Sequence, residues 1–307
     1  MDVVTLLPSA TEIVVALGVE PVGTSHECDH PPGVEALPDV NSTRIDADAS
    51  SESINDQVAE AEDGDGVYEI DADLIEKLDP DLIVTQDVCD VCAVDTVLVE
   101  EVVDDRGLDA DVLPIDPHHL SDLFANVERI GAAIGRERAA ASLVDDMQSR
   151  VSTVQRRVGD LESRPTVAIL DWLDPVMVAG HWVPELVELA GGRYPMALPG
   201  DRSTPREWET IPAVDPDVLV AAPCGFDLDQ TRRNAADLVD REGWDGLRAV
   251  RAGRAYAMDG HHYVNRPGPR LLDTLEYLAA TLHPGHFDVP PADVVRPMSE
   301  VTAPNRL

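Results

Sequence analysis

Lysine is almost missing from this sequence. Lys77 is the only one, so arginine supplies nearly every other cation. Lysine and arginine together number 23 against 59 aspartates and glutamates, for a net charge of −36. A field of that sign argues against nucleic acid or anionic lipid as a partner. Aromatic residues are scarce, with only four Trp and three Phe. Four cysteines cannot make a disulfide scaffold of a 307-residue chain. No apolar run reaches the roughly 18 residues of a membrane span. The opening Met1-Asp2-Val3-Val4-Thr5-Leu6-Leu7 runs straight into an apolar segment with no basic region, so no signal peptide is visible. The expected location is therefore the cytoplasm, or the cell surface if the true start lies upstream. There is no nucleophile elbow, phosphate loop or zinc-protease motif, and no enzymatic activity is expected.

What is present is a 44% hydrophobic content and a length that allows two domains, each with its own core. The middle of the chain, Arg136 to Leu161, has no Pro and no Gly before Gly159. Leu143, Val144, Met147, Val151, Val154, Val158 and Leu161 recur at helical spacing, which predicts one long helix of about 37 Å. A phrase repeats on either side of it. Asp79-Pro80-Asp81 leads into Leu82-Ile83-Val84 and then Cys89; Asp215-Pro216-Asp217 leads into Val218-Leu219-Val220 and then Cys224. The expected fold is α/β: two Rossmann-like lobes with parallel sheets, 1–135 and 165–285, joined by a single connecting helix at 136–164. An irregular, Pro-rich tail covers 286–307.

Strands alternate with helices in both halves, as parallel sheets covered on both faces require. Ser9 reads as the N-cap of the first helix with Glu12 at the capping-box position. Residues 29–66 are rich in Pro, Ser, Asp and Gly and read as loop over the lobe's surface, or as a poorly ordered insert around Glu60–Gly66. Helices are expected at 231–241 and 271–282, and a strand at 166–170, with Trp172 in the loop beyond it.

Ligands of open parallel sheets sit beyond the carboxyl ends of the strands, and the unusual residues fall there. These segments carry Ser9, then His26-Glu27-Cys28, then Asp87 and Cys89, then Trp172. Further on come His181-Trp182, Cys224 with Phe226, and His262-Tyr263 with Asn265-Arg266. Aromatic rings, histidines and a few charges in such loops describe a pocket for a sizeable, partly apolar small molecule. Two readings stand for the cysteines. Cys89-x-x-Cys92 is half of a zinc or cobalt site completed by Cys28, His26 or Cys224, or else these are buried or redox thiols. Arg266 and Arg270 either hold a ligand carboxylate or phosphate, or pair with the surplus acids.

The lobe–helix–lobe plan resembles the helical-backbone class, class III, of ABC-importer substrate-binding proteins. Leu7-Pro8-Ser9-Ala10-Thr11-Glu12, Ser25-His26-Glu27-Cys28-Asp29, Cys89-Asp90-Val91-Cys92, Gly180-His181-Trp182-Val183-Pro184-Glu185, Pro223-Cys224-Gly225-Phe226-Asp227 and Asn265-Arg266-Pro267-Gly268-Pro269-Arg270 resemble its cobalamin-binding-like branch. The acid surplus, spread through every segment, resembles proteins of halophilic archaea. The resemblance implies a monomeric binding protein that needs no cofactor and holds a corrinoid or similar metal chelate between its lobes, with an ABC permease as a possible partner. The alternative is a metal-binding protein or enzyme that uses the Cys and His loops.

Overall fold

A computed structural model of the chain describes residues 1–62, 66–87, 94 and 96–302. Two compact units emerge, neither of them contiguous in sequence. Unit 1 holds Met1–Asp46 and Asp56–Met147; unit 2 holds Ala47–Asn55 and Gln148–Leu307.

Unit 1 opens with strand β1 (Val3–Thr5), helix α1 (Pro8–Ala16), β2 (Gly23–Thr24) and β3 (Asn41–Thr43). Helix α2 (Ser51–Glu62) starts within unit 2 and ends in unit 1, and β4 (Tyr68–Ile70) and α3 (Ala72–Leu78) follow. Next come β5 (Leu82–Gln86), α4 (Thr96–Arg106), β6 (Asp111–Ile115) and α5 (Leu120–Ala133). Its main sheet is wholly parallel, in the order β2-β1-β5-β6, with Val4 opposite Gly23 and Ile83. Parallel strands are covered on both faces, which is why β1 and β5 are buried at every position. Val4, Leu6, Ile75, Ile83 and Val99 form one core cluster, and Leu123, Val127 and Ile130 of α5 are fully buried. Gly131 lies within α5, where a side chain would overlap the Cβ of Ala140.

Helix α6 (Glu137–Gly159) is the long helix expected from the spacing, 23 residues or about 35 Å. Its first half counts with unit 1 and its second with unit 2.

Unit 2 continues with β7 (Val167–Leu173), β8 (Val176–Val178), α7 (Val183–Leu189), β9 (Thr204–Pro205) and α8 (Thr210–Val214). Then come β10 (Val218–Ala221), α9 (Leu228–Arg233), α10 (Ala236–Val239), α11 (Arg248–Arg251) and β11 (Ala255–Met258). Helix α12 (Leu271–Leu282), β12 (Val295–Pro297) and α13 (Met298–Val301) complete it. The sheet order is β12-β11-β10-β7-β8-β9; β7, β10 and β11 are parallel, while β8, β9 and β12 join antiparallel, with β12 and β9 at the two edges.

Five local expectations are corrected. Ser9 is not an N-cap. Leu7 takes that place and Pro8 opens the helix, its fixed φ suiting the first turn, so Glu12 lies past the capping position. The stretch 29–66 is not plain loop, since it contains β3 and the whole of α2. The tail beyond 285 is not irregular: β12 pairs with β11, Ala257 opposite Arg296. The helix expected at 231–241 is two short ones, α9 and α10, broken at Asn234. Trp172 lies within β7, because a register irregularity between Leu170 and Trp172 carries the strand on to the β8 hairpin.

Candidate ligand-binding loops

In unit 1 the carboxyl ends of all four parallel strands share one edge, and the segments after them carry the expected residues. Ser9 follows β1, in the first turn of α1, and is 1% exposed. After β2 the chain turns at Ser25, whose carbonyl accepts the Cys28 amide at 2.9 Å. Asn41 of β3 orders this turn: its Oδ1 takes the His26 backbone N–H at 3.1 Å and lies 3.0 Å from His26 Nδ1. The His26 ring also sits 6.0 Å from that of Tyr68. Glu27 lies 3.9 Å from His26 Nε2. Cys28 is buried with its Sγ 3.0 Å from the Thr11 hydroxyl, which itself lies 2.6 Å from Thr5 Oγ1. That hydroxyl contact gives the thiol a structural role. After β5, exposed Asp87 donates its amide to Ile115 O at 3.0 Å and accepts from the Thr96 hydroxyl at 2.6 Å. Cys89 and Cys92 lie outside the described residues.

In unit 2 the expected aromatic surface is buried. Trp172, Trp182 and Phe226 are 9%, 7% and 2% exposed, so little of any ring is open to a ligand. Trp172 and Phe226 pack at 5.1 Å between ring centres, and Trp172 Nε1 donates to Asp174 O at 3.1 Å. Trp182 Nε1 donates to Val264 O at 2.9 Å, tying the start of α7 to the loop after β11. These rings shape the loops from beneath, a correction of the open stacking role expected of them. The reason is that apolar area is worth more buried in a core than held at a loop tip.

The loop after β11 is the most highly built. Gly260 is required there, since a side chain would collide with the carbonyls of Ala222 and Pro223. The Phe226 carbonyl accepts both the Gly260 and His261 amides at 3.0 Å. Residues Gly260–Val264 form a short π-turn, a form frequent at functional sites. Asp259, 5% exposed, accepts from the His262 amide at 2.7 Å and lies 2.7 Å from His262 Nδ1. His261 makes the opposite bond: its Nε2 lies 3.0 Å from the guanidinium of buried Arg266. The two imidazoles are edge to face at 4.4 Å. Asn265 closes the loop by donating to Ala222 O at 3.1 Å and Gly260 O at 3.2 Å. Tyr263 lies against Tyr277, with the Arg270 guanidinium 5.5 Å from the Tyr263 ring. The structure thus gives Arg266 and Arg270 partners, His261 and Tyr263, that were not foreseen.

His181 holds a left-handed φ of 51°, fixed by Asp201 O accepting its amide at 2.5 Å and by its own carbonyl accepting from Gly200 at 2.9 Å. Such strain in a non-glycine residue is commoner at binding sites than elsewhere. Cys224 is half-buried and donates its amide to Asp171 O at 2.9 Å. Cys28 belongs to unit 1 and Cys224 to unit 2.

Sequence reasoning missed Asp259 and Asp171. Asp259 stands three residues before His262 at a strand end, a spacing that would have flagged it. Asp171 is buried at the β7 irregularity; burial pushes its carboxyl up to about 6 against a hydrogen bond from Ser203. A groove of about 460 Å³ in unit 2 is lined by Gln155, Val158, Arg164, Glu185, Glu188 and Leu189. None of the expected ligand residues lines it.

The sequence matches the family described as "Periplasmic binding protein" over residues 3–261. It is 24% identical to an uncharacterised ABC transporter substrate-binding lipoprotein, YvrC, of Bacillus subtilis, over 93% of this chain and 81% of that one. A periplasmic heme binding protein from Pseudomonas aeruginosa shares the fold at a TM-score of 0.72 and 21% identity, covering 96% of each chain. The periplasmic vitamin B12 binding protein BtuF of Vibrio cholerae does so at 0.64 and 20%, covering 92% of this chain and 96% of that one. The cytoplasmic location expected from the first residues is overturned by these findings, since the relatives are a lipoprotein and periplasmic binding proteins. A two-lobed α/β architecture and a match along most of the chain lead to one assignment: the chain belongs to the periplasmic binding protein family, and is a substrate-binding protein rather than an enzyme.

Proposed function

We propose that this binding protein takes a metal chelate of the haem or corrinoid kind and passes it to an ABC permease, acting as a monomer in a high-salt setting. The observation that carries the reading is the Asp259–His262 pair. A buried carboxylate at 2.7 Å from Nδ1 holds the imidazole in the form whose lone pair is on Nε2, the arrangement by which carboxylates orient metal-binding histidines. Two solved relatives named for heme and for vitamin B12 support the ligand class. The acid surplus supports the setting, since −36 charges repel one another least where salt screens them.

Titration with haemin, cyanocobalamin, adenosylcobalamin and Zn²⁺ at high salt, read by visible absorption and tryptophan fluorescence, tests it. A tetrapyrrole should bind, and His262→Ala should shift its visible bands while His261→Ala leaves them in place. Zinc binding through the Cys and His loops is the second reading. Silence towards every tetrapyrrole with a Zn²⁺ response abolished by Cys89→Ser would replace the first with it.

A further inference from the structure

The amino end of α1 lies at the carboxyl edge of the unit 1 sheet, and its N-cap residue supplies no side-chain cap. Helix amino ends carry unpaired N–H groups and a partial positive charge, and proteins commonly close them with an acceptor side chain or an acid in the first turn. Here the N-cap is Leu7, which has no such acceptor, and the first turn holds no acid although the chain has 59 acids. Asp71 and Asp227, by contrast, cap α3 and α9 through their side chains. The second observation is independent of the backbone. The Ser9 hydroxyl, in this first turn, is buried and has no hydrogen-bond partner among the described residues. Side chains of a helix lean towards its amino end, so this hydroxyl leans towards that terminus. The last residue of the neighbouring strand repeats the pattern, since Thr24 is 1% exposed and its Oγ1 is also unpartnered. A buried donor without an acceptor is an unfilled hydrogen bond.

We propose that the amino end of α1, with the Ser9 hydroxyl, is a binding site for an anionic group, a carboxylate or phosphate carried at the rim of the ligand. The proposal rests on the reading above, that the ligand is a metal tetrapyrrole, and deepens it. Haem carries two propionates and cobalamin a phosphodiester, and a chain of net charge −36 would repel either unless local donors met them. Half-buried Pro8, the first residue of the helix, borders the terminus and contributes no N–H of its own.

The test compares haemin with haemin dimethyl ester, which differ only at the propionates, charged carboxylates in one and neutral methyl esters in the other. The folded wild type should prefer the acid by about five- to tenfold, the scale of one helix terminus. Ser9→Ala removes only an unpaired hydroxyl, so it should melt no lower than wild type, yet the preference should shrink. Ser9→Asp places a carboxylate where the anion would sit and should abolish it. The same preference in wild type and Ser9→Ala would overturn the proposal. If wild type takes neither haemin nor its ester, the tetrapyrrole reading fails by itself, and inorganic phosphate at constant ionic strength decides. Phosphate should then shift the Ser9 and Ala10 amide resonances of wild type, and their immobility would overturn the site.

Discussion

Asp81 and Asp217 hold the same position in the two halves of the chain. Asp81 Oδ2 accepts the amide of Asp2 at 2.6 Å, and Asp217 Oδ2 accepts that of Thr166 at 2.9 Å. Each acceptor stands two residues after an aspartate with a φ of 46°, Asp79 and Asp215, which ends a helix in the left-handed conformation. Proline follows each and stops the helix from continuing. The repeated Asp-Pro-Asp phrase is therefore one device used twice: it ends a helix, starts a strand and clasps the beginning of the neighbouring strand.

Replacing Asp217 by alanine should cost about 1–2 kcal/mol near neutral pH, the scale of a charge-assisted bond that is partly exposed. The Thr166 amide holds the Asp217 carboxyl below the usual carboxylate range, burial opposes that, and Arg248 adds to it. A carboxyl lowered on folding contributes its stability above the unfolded value of about 4 and loses it as pH falls through the folded one. The gap between wild type and variant in urea unfolding should thus narrow below about pH 4. A gap that widened on acidification would rule out the clasp.

What could be read beforehand follows from these physical signals. The Asp-Pro-Asp repeat and the spacing from Leu143 to Val158 were visible because local chemistry sets both a helix end and a buried helical stripe. Strands β8, β9 and β12 were not: each has only two or three residues, too few to show a period, and the partners of β9 and β12 lie far away in sequence. The loop residues were well located at strand ends, as His26, Cys224 and His262 show. Their state was not legible, since burial of Trp182 or Phe226 depends on what the rest of the chain packs over them. Asp259 went unnoticed because one acid among 59 stands out only when its three-residue spacing to His262 is weighed.

Trp182 tests that last point. Held open in a loop beyond a strand end, as the sequence suggested, it would tolerate truncation without loss of stability. Buried and bonded to Val264 O, it should not. Trp182→Phe keeps most of the ring and should cost about 1–2 kcal/mol for the orphaned carbonyl, while Trp182→Ala should cost about 3–5 kcal/mol. Denaturant unfolding with ligand absent measures both. An alanine variant as stable as wild type would return the ring to the ligand.

Salt dependence follows from the charge. With −36 at pH 7, repulsion among the acids grows as salt is withdrawn, because the screening length lengthens from about 3 Å at 1 M to about 10 Å at 0.1 M. The melting temperature should therefore rise steadily from dilute buffer to about 1 M salt and more slowly beyond it. Potassium chloride and sodium chloride should act alike over the first part, where screening alone operates. A melting temperature indifferent to salt over that range would remove the high-salt setting from the proposal.

Asp171 gives the opposite pH dependence to Asp217. Its carboxyl is buried at the β7 irregularity, its Oδ1 has no partner among the described residues, and it shares Ser203 with the Gly180 amide, which donates to Ser203 Oγ at 3.0 Å. The charge also bears on Tyr194, whose hydroxyl is raised well above its ordinary value by burial first and then by Asp171. Folded, the Asp171 carboxyl titrates at about 6; unfolded, it should do so near 3.9. The folded chain thus holds this proton more tightly than the unfolded one. The protonated group is fully compatible with the fold below about pH 4, and stability is lost as pH rises through 6. Asparagine keeps an acceptor for Ser203 and carries no charge, so Asp171→Asn should be more stable than wild type by on the order of 2–3 kcal/mol at pH 8. The advantage should shrink through pH 6 and vanish near pH 4, whatever the other acids do, because they titrate alike in both proteins. Urea unfolding of the pair at those three values reads it directly, and a variant less stable than wild type at pH 8 would mean that the charge is matched by a donor and that the carboxylate is the form the fold requires.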